Sequence, residues 1–381
     1  MIFMVVSNEQ LEAARAVAAH LPSAATVVNP YTAIAAPLDD MTSVERPVGF
    51  VITPRAIHVA RGTLLRALAV AGGPHPVLVI GQDVGTIERV AVAAARKAGT
   101  RVAIMPDGVF ASVRLVGVKG GRPLSMAIDA ADRTLVAAGI LTGRRSDPGS
   151  SAPDMVLSWG PGWEQALQRR APAAQIVNCG SPRSDVFADL PRRPRAGHVL
   201  VCSQPLSLGQ TAAPPREVAA WYAWLTSMAH SDDPRVRVRL HPGERSPRYR
   251  LPSPLQPLLD EPHRPLAEDL AWADVVLAPF SSVLVEAVGA SRVPISAGST
   301  AIWGSVAANS FLEDPRVPSV DFRRSPDLES LLDVAAAAAP DTDALREDYL
   351  ANVGDAARLT AGAILTLAAA PAMAIRRARP R

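Results

Sequence analysis

Short apolar segments alternate with helix-like stretches along this chain, and the alternation is run through twice. In the first half Ile2–Val6, Ala25–Val28, Val48–Thr53, Val77–Ile80, Arg101–Met105, Met155–Ser158 and Ile176–Asn178 read as strands. Between them, Gln10–Leu21, Ile57–Val70, Thr86–Ala98 and Trp163–Arg170 have helical character. Continuous apolar runs punctuated by helices predict βαβ units with right-handed crossovers and a parallel sheet covered on both faces. From Gly180 to Gly197 the pattern stops, and Pro191-Arg192-Arg193-Pro194-Arg195 reads as a stiff polar linker. It then restarts with strands His198–Gln204, Val236–His241, Val275–Ala278 and Val293–Ser296 and helices Pro215–His230, Leu266–Trp272 and Ser282–Ala290. A last helical region is expected over about 341–369.

A chain of 381 residues agrees with that doubling, because single cores rarely grow past ~250–300 residues. The expected architecture is α/β, with a first domain over 1–190, a second over 196–350, and a terminal helix with a basic tail over 351–381. A hydrophobic share of 48% against 20% charged excludes a mainly disordered chain. The 39 basic and 36 acidic residues nearly balance, and all but two of the basic ones are arginine. No basic run with interleaved aromatics occurs before the last residues, so nucleic acid is not an expected partner. Cys179 and Cys202 are too few to staple the fold or to build a zinc site. The start, Met1 to Val6, is too short for a signal peptide, and no stretch reaches the ~18–20 apolar residues of a membrane span. A cytoplasmic location is the expectation.

Ligands of open parallel sheets collect where loops leave the carboxyl ends of the strands. Three such places carry chemistry. In Met105-Pro106-Asp107-Gly108 a carboxylate beside a glycine can take a proton from an acceptor hydroxyl, although Asp-Gly is also a common turn pair. In His241-Pro242-Gly243-Glu244 the proline restricts the backbone that aims an imidazole able to stabilise a departing phosphate; Glu244 reads as a cap of the following turn. In Pro279-Phe280-Ser281-Ser282 paired hydroxyls open a helix, either as an anion site or as an ordinary N-cap. Glu286 follows on the same face as Ser282, within reach of a nucleotide ribose. Asp83, Gly108 and Trp159 are further candidates on the acceptor side, Asp83 also being placed to cap a helix. Trp221 and Trp224 read as core, and Asp274 as a turn residue before its strand. No Asp-x-Asp pair follows a strand, so no metal site is expected.

Together, Pro106-Asp107-Gly108, His241-Pro242 and Ser281-Ser282 resemble the motifs of the GT-B glycosyltransferases. The likeness is greatest to the bacterial sialyltransferase and polysialyltransferase-like group and the related Kdo-transferring capsule enzymes, and spans about residues 77–295. It implies two Rossmann-like domains with mainly parallel sheets facing a central cleft, and a last helix crossing back to the first domain. It also implies inverting, metal-independent transfer from a CMP-activated sugar, with no cofactor beyond that substrate. Asp107 would be the base, His241 with Pro242 and Gly243 would meet the CMP phosphate, and Ser281 and Ser282 would bind it. Pro106 stands where that family carries a second acid, which leaves Asp107 to act alone.

The implied partners are a nucleotide-sugar donor and a carbohydrate or lipid-linked glycan acceptor. The arginines of the tail (375–381) would give peripheral contact with an anionic membrane surface, or fray into solvent. The segments Ser158-Trp159-Gly160, which follows a strand, and Gly180-Ser181-Pro182-Arg183-Ser184-Asp185, which precedes the linker, also resemble those of CDP-glycerol glycerophosphotransferases and the UDP-GlcNAc 2-epimerase group, which share the architecture. A polyol-phosphate transferase, an epimerase and a catalytically inactive nucleotide- or glycan-binding protein are the alternatives. The first would favour a histidine base in the first domain, yet no histidine occurs between Thr86 and Asp185.

Overall fold

The computed structural model of the chain describes residues 1–44, 53–70, 76–108, 112–113, 130–143, 149–191, 197–206, 214–245, 249–260, 264–299, 302, 306–307 and 310–370. All but the last residue of the expected strand over Val48–Thr53, most of the proline–arginine linker and the arginine tail lie outside them.

The first sheet comprises β1 (Ile2–Met4), β2 (Thr26–Asn29), β3 (Ile34–Pro37), β4 (Val77–Ile80), β5 (Arg101–Ile104), β7 (Met155–Ser158) and β8 (Gln175–Asn178), in spatial order β3-β2-β1-β4-β5-β7-β8. Every pairing is parallel except β3 on β2. The second comprises β9 (Val199–Cys202), β10 (Val236–Arg239), β11 (Val275–Ala278), β12 (Val293–Gly298) and β14 (Ser319–Asp321), all parallel in the order β10-β9-β11-β12-β14. A two-stranded antiparallel ribbon, β6 (Ser112–Val113) with β13 (Val306–Ala307), joins the first half of the chain to the second. β4, β7, β9 and β11 are buried at every residue, which is why they read as unbroken apolar runs rather than alternating ones.

The helices of the first lobe are α1 (Asn8–Ala18), α2 (Pro54–Val70), α3 (Thr86–Lys97), α4 (130–137) and α5 (Glu164–Arg170). α1 starts where Ser7 accepts the Gln10 N–H, and it buries Leu11, Ala14 and Val17. The second lobe carries α6 (Pro215–Ala229), α7 (Pro257–Asp260), α8 (Leu266–Trp272), α9 (Val283–Gly289) and α10 (Leu328–Ala338). Trp221 and Trp224 of α6 pack with Phe322 in its core, as their spacing implies.

The final region is two helices rather than one: α11 (Thr342–Tyr349) and α12 (Ala356–Ala369). The break falls where Asn352 and Gly354 take left-handed backbone conformations, with φ 58° and 95°. α12 then packs on the first lobe, burying Ala361, Ile364 and Leu367 beside Phe3, Val5 and Leu11. A fully buried side chain of the size of Ile364 or Leu367 contributes roughly 1.5–3 kcal/mol by leaving water. Asp185 anchors its start by accepting the N–H groups of Gly354, Ala356 and Ala357 at 2.8–2.9 Å. Tyr349 ends α11 between the lobes, edge-on to Trp163 of the first (5.2 Å between centroids) and to Phe311 of the second (5.1 Å). At Gly180 (φ 87°) any side chain would strike the Ala351 carbonyl, 2.3 Å from the Cβ position, so the close approach of the crossover chain to the first lobe requires glycine at this position.

In each sheet the chain first steps outward (β1 to β2, β9 to β10) and then reverses to the other side. The reversals create switch points between β1 and β4 and between β9 and β11, where crevices form in sheets of this kind.

Candidate functional site

Asp107 leaves the carboxyl end of β5 half-buried, and its Oδ2 accepts the Gln10 Nε2–H at 2.5 Å. Gln10 is buried on α1, and its own Oε1 accepts the Val6 N–H at 2.8 Å, which fixes which end of the amide points at Asp107. It crosses over Gly81, where a Cβ would sit 2.3 Å from Gln10 Nε2. The carboxylate is therefore held by one side-chain bond, with its other oxygen not engaged among the described residues. Gly108 beside it faces open space, and a Cβ there would meet no described atom within 4 Å. It contributes room next to the acid.

Trp159 is a correction to the acceptor-side set. It is buried, and its Nε1–H donates to the Pro106 carbonyl at 3.2 Å, so what it does in the structure is support the Asp107 turn. Asp83 is a second correction: it is 0% exposed, and its two oxygens accept the N–H groups of Gly149 and Ser151 at 2.7 and 2.9 Å. That carboxylate ties down a loop and faces neither the acceptor side nor the N-terminus of α3.

In the second lobe, His241 follows β10 and begins a turn that Pro242 carries into a short 3-10 segment, Pro242–Arg245. The Gly243 N–H donates to His241 Nδ1 at 2.9 Å, so the neutral ring carries its proton on Nε2 and presents a donor. Burial pulls the His241 pKa below the ordinary histidine value, while the Glu9 carboxylate of the first lobe pushes the other way. Glu244 is more than a turn cap: its Oε2 accepts the His241 N–H at 3.0 Å and its Oε1 is bonded elsewhere in the core.

Ser281 and Ser282 follow β11, two strands from β10, so their loops emerge roughly 10 Å from that of His241 at ordinary strand spacing. Ser281 Oγ accepts the Val283 N–H at 3.3 Å and thereby caps α9, whereas Ser282 is already helical and its hydroxyl makes no capping bond. The capping reading thus holds for Ser281 and not for Ser282. The turn is braced by Ser296, whose hydroxyl donates to the Pro279 carbonyl at 2.8 Å.

Glu286 on α9 is 7% exposed, and burial raises its carboxyl pKa, with Arg183 and Arg239 pulling it back down. Its Oε1 lies 3.6 Å from the guanidinium of Arg183, a first-lobe residue just past β8. The same guanidinium approaches the Asp107 carbonyl at 3.5 Å. Arg183 therefore spans the lobes, and the acid of one lobe and the helix that the serines open on the other lie within reach of one side chain.

Three participants carried no sequence signal of their own as site residues: Gln10, Arg183 and Gln204. Gln204 lies past the end of β9, at the second switch point, and its Oε1 accepts the Phe280 N–H at 3.1 Å. That bond ties the loop after β9 to the turn that precedes Ser281.

A cavity of about 510 Å³ lies away from these residues, at the amino ends of β9, β11 and β12, lined by Gly197, Arg235, Asp274 and Val293 among others. Asp274 there accepts the His198 N–H at 3.1 Å, in keeping with a turn residue. Among the described residues no group of three or more His, Cys, Asp or Glu side chains is arranged to hold a metal ion, and no helix is long and apolar enough to cross a membrane. Both cysteines are buried, with thiol pKa values pushed up by burial, to about 11 for Cys179 and about 12 for Cys202.

No family model matches the chain, and no curated protein matches it. Solved structures do. The wall teichoic acid polymerase TagF, in a variant soaked with CDPG, is 14% identical over 96% of this chain and 88% of that one, with a TM-score of 0.53. The UDP-GlcNAc 2-epimerase of Neisseria meningitidis, bound to UDP-GlcNAc, is 11% identical over 96% and 100% (TM-score 0.50). That of Methanocaldococcus jannaschii, with UDP-GlcNAc and UDP, is 12% identical over 96% and 99% (TM-score 0.50). At such identities the likeness is one of fold. With its two mainly parallel sheets and a last helix returned to the first lobe, the chain has the two-domain Rossmann-like architecture of the GT-B fold.

Proposed function

We propose that this protein is a transferase that takes a group from a nucleotide-activated donor and delivers it to an acceptor hydroxyl. The observation that supports the reading is the reach of Arg183, 3.5 Å from the Asp107 backbone carbonyl and 3.6 Å from Glu286, which sets the turn bearing a lone acid on one lobe against the helix that Ser281 and Ser282 open on the other. Asp107 takes the proton of the acceptor hydroxyl as its oxygen attacks, and the bond from the transferred group to the donor phosphate breaks. The phosphate leaves with the nucleotide, its charge met by His241 Nε2–H and the serine hydroxyls. Pro242 and Gly243 shape the turn that aims the imidazole, and Glu286 is placed to meet the ribose.

Two donor classes fit this frame. An acid base, with no histidine at the described strand ends of the first lobe, favours a CMP-activated sugar of the sialic-acid or Kdo kind. The fold shared with TagF favours a donor of the CDP-glycerol kind. The acceptor in either reading is a glycan, free or lipid-linked.

A thermal-shift panel of CMP, CDP, UDP and GDP, followed by turnover assays with the matching donors, separates these classes. A cognate nucleotide about a hundredfold above its Kd adds about 2.7 kcal/mol of stability, which raises Tm by a few degrees. A response to the cytidine nucleotides is expected. A response to UDP alone would reject both cytidine donors and leave the epimerase-like reading, and binding without turnover would mark the protein as a nucleotide binder.

A further inference from the structure

Beneath the His-Pro turn lies a polar network that the transfer chemistry does not itself touch. Glu244 is 0% exposed. Its Oε1 accepts from Ser203 Oγ at 2.9 Å and from the Tyr222 hydroxyl at 2.7 Å, and its Oε2 accepts from the His241 N–H at 3.0 Å. A carboxylate only accepts, so Tyr222 must donate to it, and the Tyr249 hydroxyl, which also bonds Tyr222, then donates to Tyr222. The donors come from the end of β9, from α6 and from the turn itself, so separate parts of the second lobe converge on one side chain. Burial raises the Glu244 pKa while these donors lower it. Burying a carboxylate costs free energy that an apolar side chain of the same volume would not.

What that carboxylate holds is the backbone of His241. The ring is held separately, by the Gly243 N–H on Nδ1 at 2.9 Å. Both bonds must form together, because a turn that rotates away from Glu244 also moves Gly243 relative to the imidazole.

We propose that Glu244 is a positioning residue for His241, its carboxylate locking the His241–Gly243 turn so that Nε2–H is presented to an anionic leaving group between the lobes. The role of that presented proton rests on the transfer reading above; the locking does not. Two readouts on the full-length chain keep them apart: the imidazole ¹⁵N spectrum of His241, which reports the tautomer without any ligand, and the affinity for CMP.

Wild type is expected to show the Nε2–H tautomer at neutral pH. In Glu244→Gln the Ser203 and Tyr222 hydroxyls can turn to accept from the new amide, leaving its oxygen on the His241 N–H. In Glu244→Leu that bond is lost and both tautomers are expected. CMP affinity should stay within about threefold in the glutamine variant and fall at least about tenfold in the leucine variant, the scale seen when a supporting partner of a ligating histidine is removed. An Nδ1–H tautomer in wild type would overturn the proposal, as would a folded leucine variant with unchanged tautomer and affinity. Should the leucine variant not fold, the glutamine variant decides: an altered tautomer there also overturns it. If wild type shows the expected tautomer but binds no CMP, the transfer reading loses its cytidine donor while the locking of His241 stands.

Discussion

Asp107→Asn is expected to lower turnover by about 10²–10⁴-fold, the range for removal of a positioned general base. Asparagine keeps the size of the side chain and, with its oxygen turned to Gln10 Nε2, keeps the bond that orients it. What it loses is the ability to accept a proton at the free oxygen. Nucleotide affinity should change little, because that part of the donor is held by the second lobe, and Tm should stay near that of wild type. With Pro106 in place of a second acid, no neighbouring carboxylate on this turn can substitute. Measuring kcat and nucleotide Kd side by side tests this: a rate within about tenfold of wild type would remove Asp107 from the mechanism.

His241→Ala carries the second large effect, an expected loss of about 10²–10³ in kcat, as for deletion of a single donor to a developing anion. The ring is half-buried at a strand end and is not part of the hydrophobic core, so its removal should leave the fold intact. It also removes the acceptor for the Gly243 N–H. Unlike Asp107→Asn, this variant should weaken nucleotide binding as well as slow the reaction, since the imidazole meets the phosphate in both ground and transition states. Turnover equal to wild type would place the departing charge elsewhere.

The sheets were legible because parallel strands buried on both faces appear as plain apolar runs, and Val77–Ile80 and Val275–Ala278 are read to the residue. β3 was not, because Ile34–Pro37 is largely exposed, contains two alanines and pairs antiparallel at an edge. β14 is three residues long, too short for any periodicity. The alanine-rich stretch after 341 looks like one helix by composition, yet Asn352 and Gly354 break it; Gly354 was the visible signal.

Within the site, residues that follow strands were accessible to a strand-end rule, as Asp107, His241 and Ser281 show. Their supports were not. Gln10 meets Asp107 across 97 positions and Arg183 meets it across 76, so only the folded chain puts them together. Asp83 and Trp159 followed the same rule and went to structural work, because a strand end gives a side chain two directions and the rule does not say which faces the gap.

The most direct test is a crystal structure with whichever nucleotide raises Tm furthest. Its phosphate should lie within hydrogen-bonding distance of His241 Nε2 and a hydroxyl of Ser281 or Ser282, with the free oxygen of Asp107 on the opposite wall. A nucleotide seated instead at the amino ends of β9, β11 and β12, leaving His241 untouched, would contradict the account.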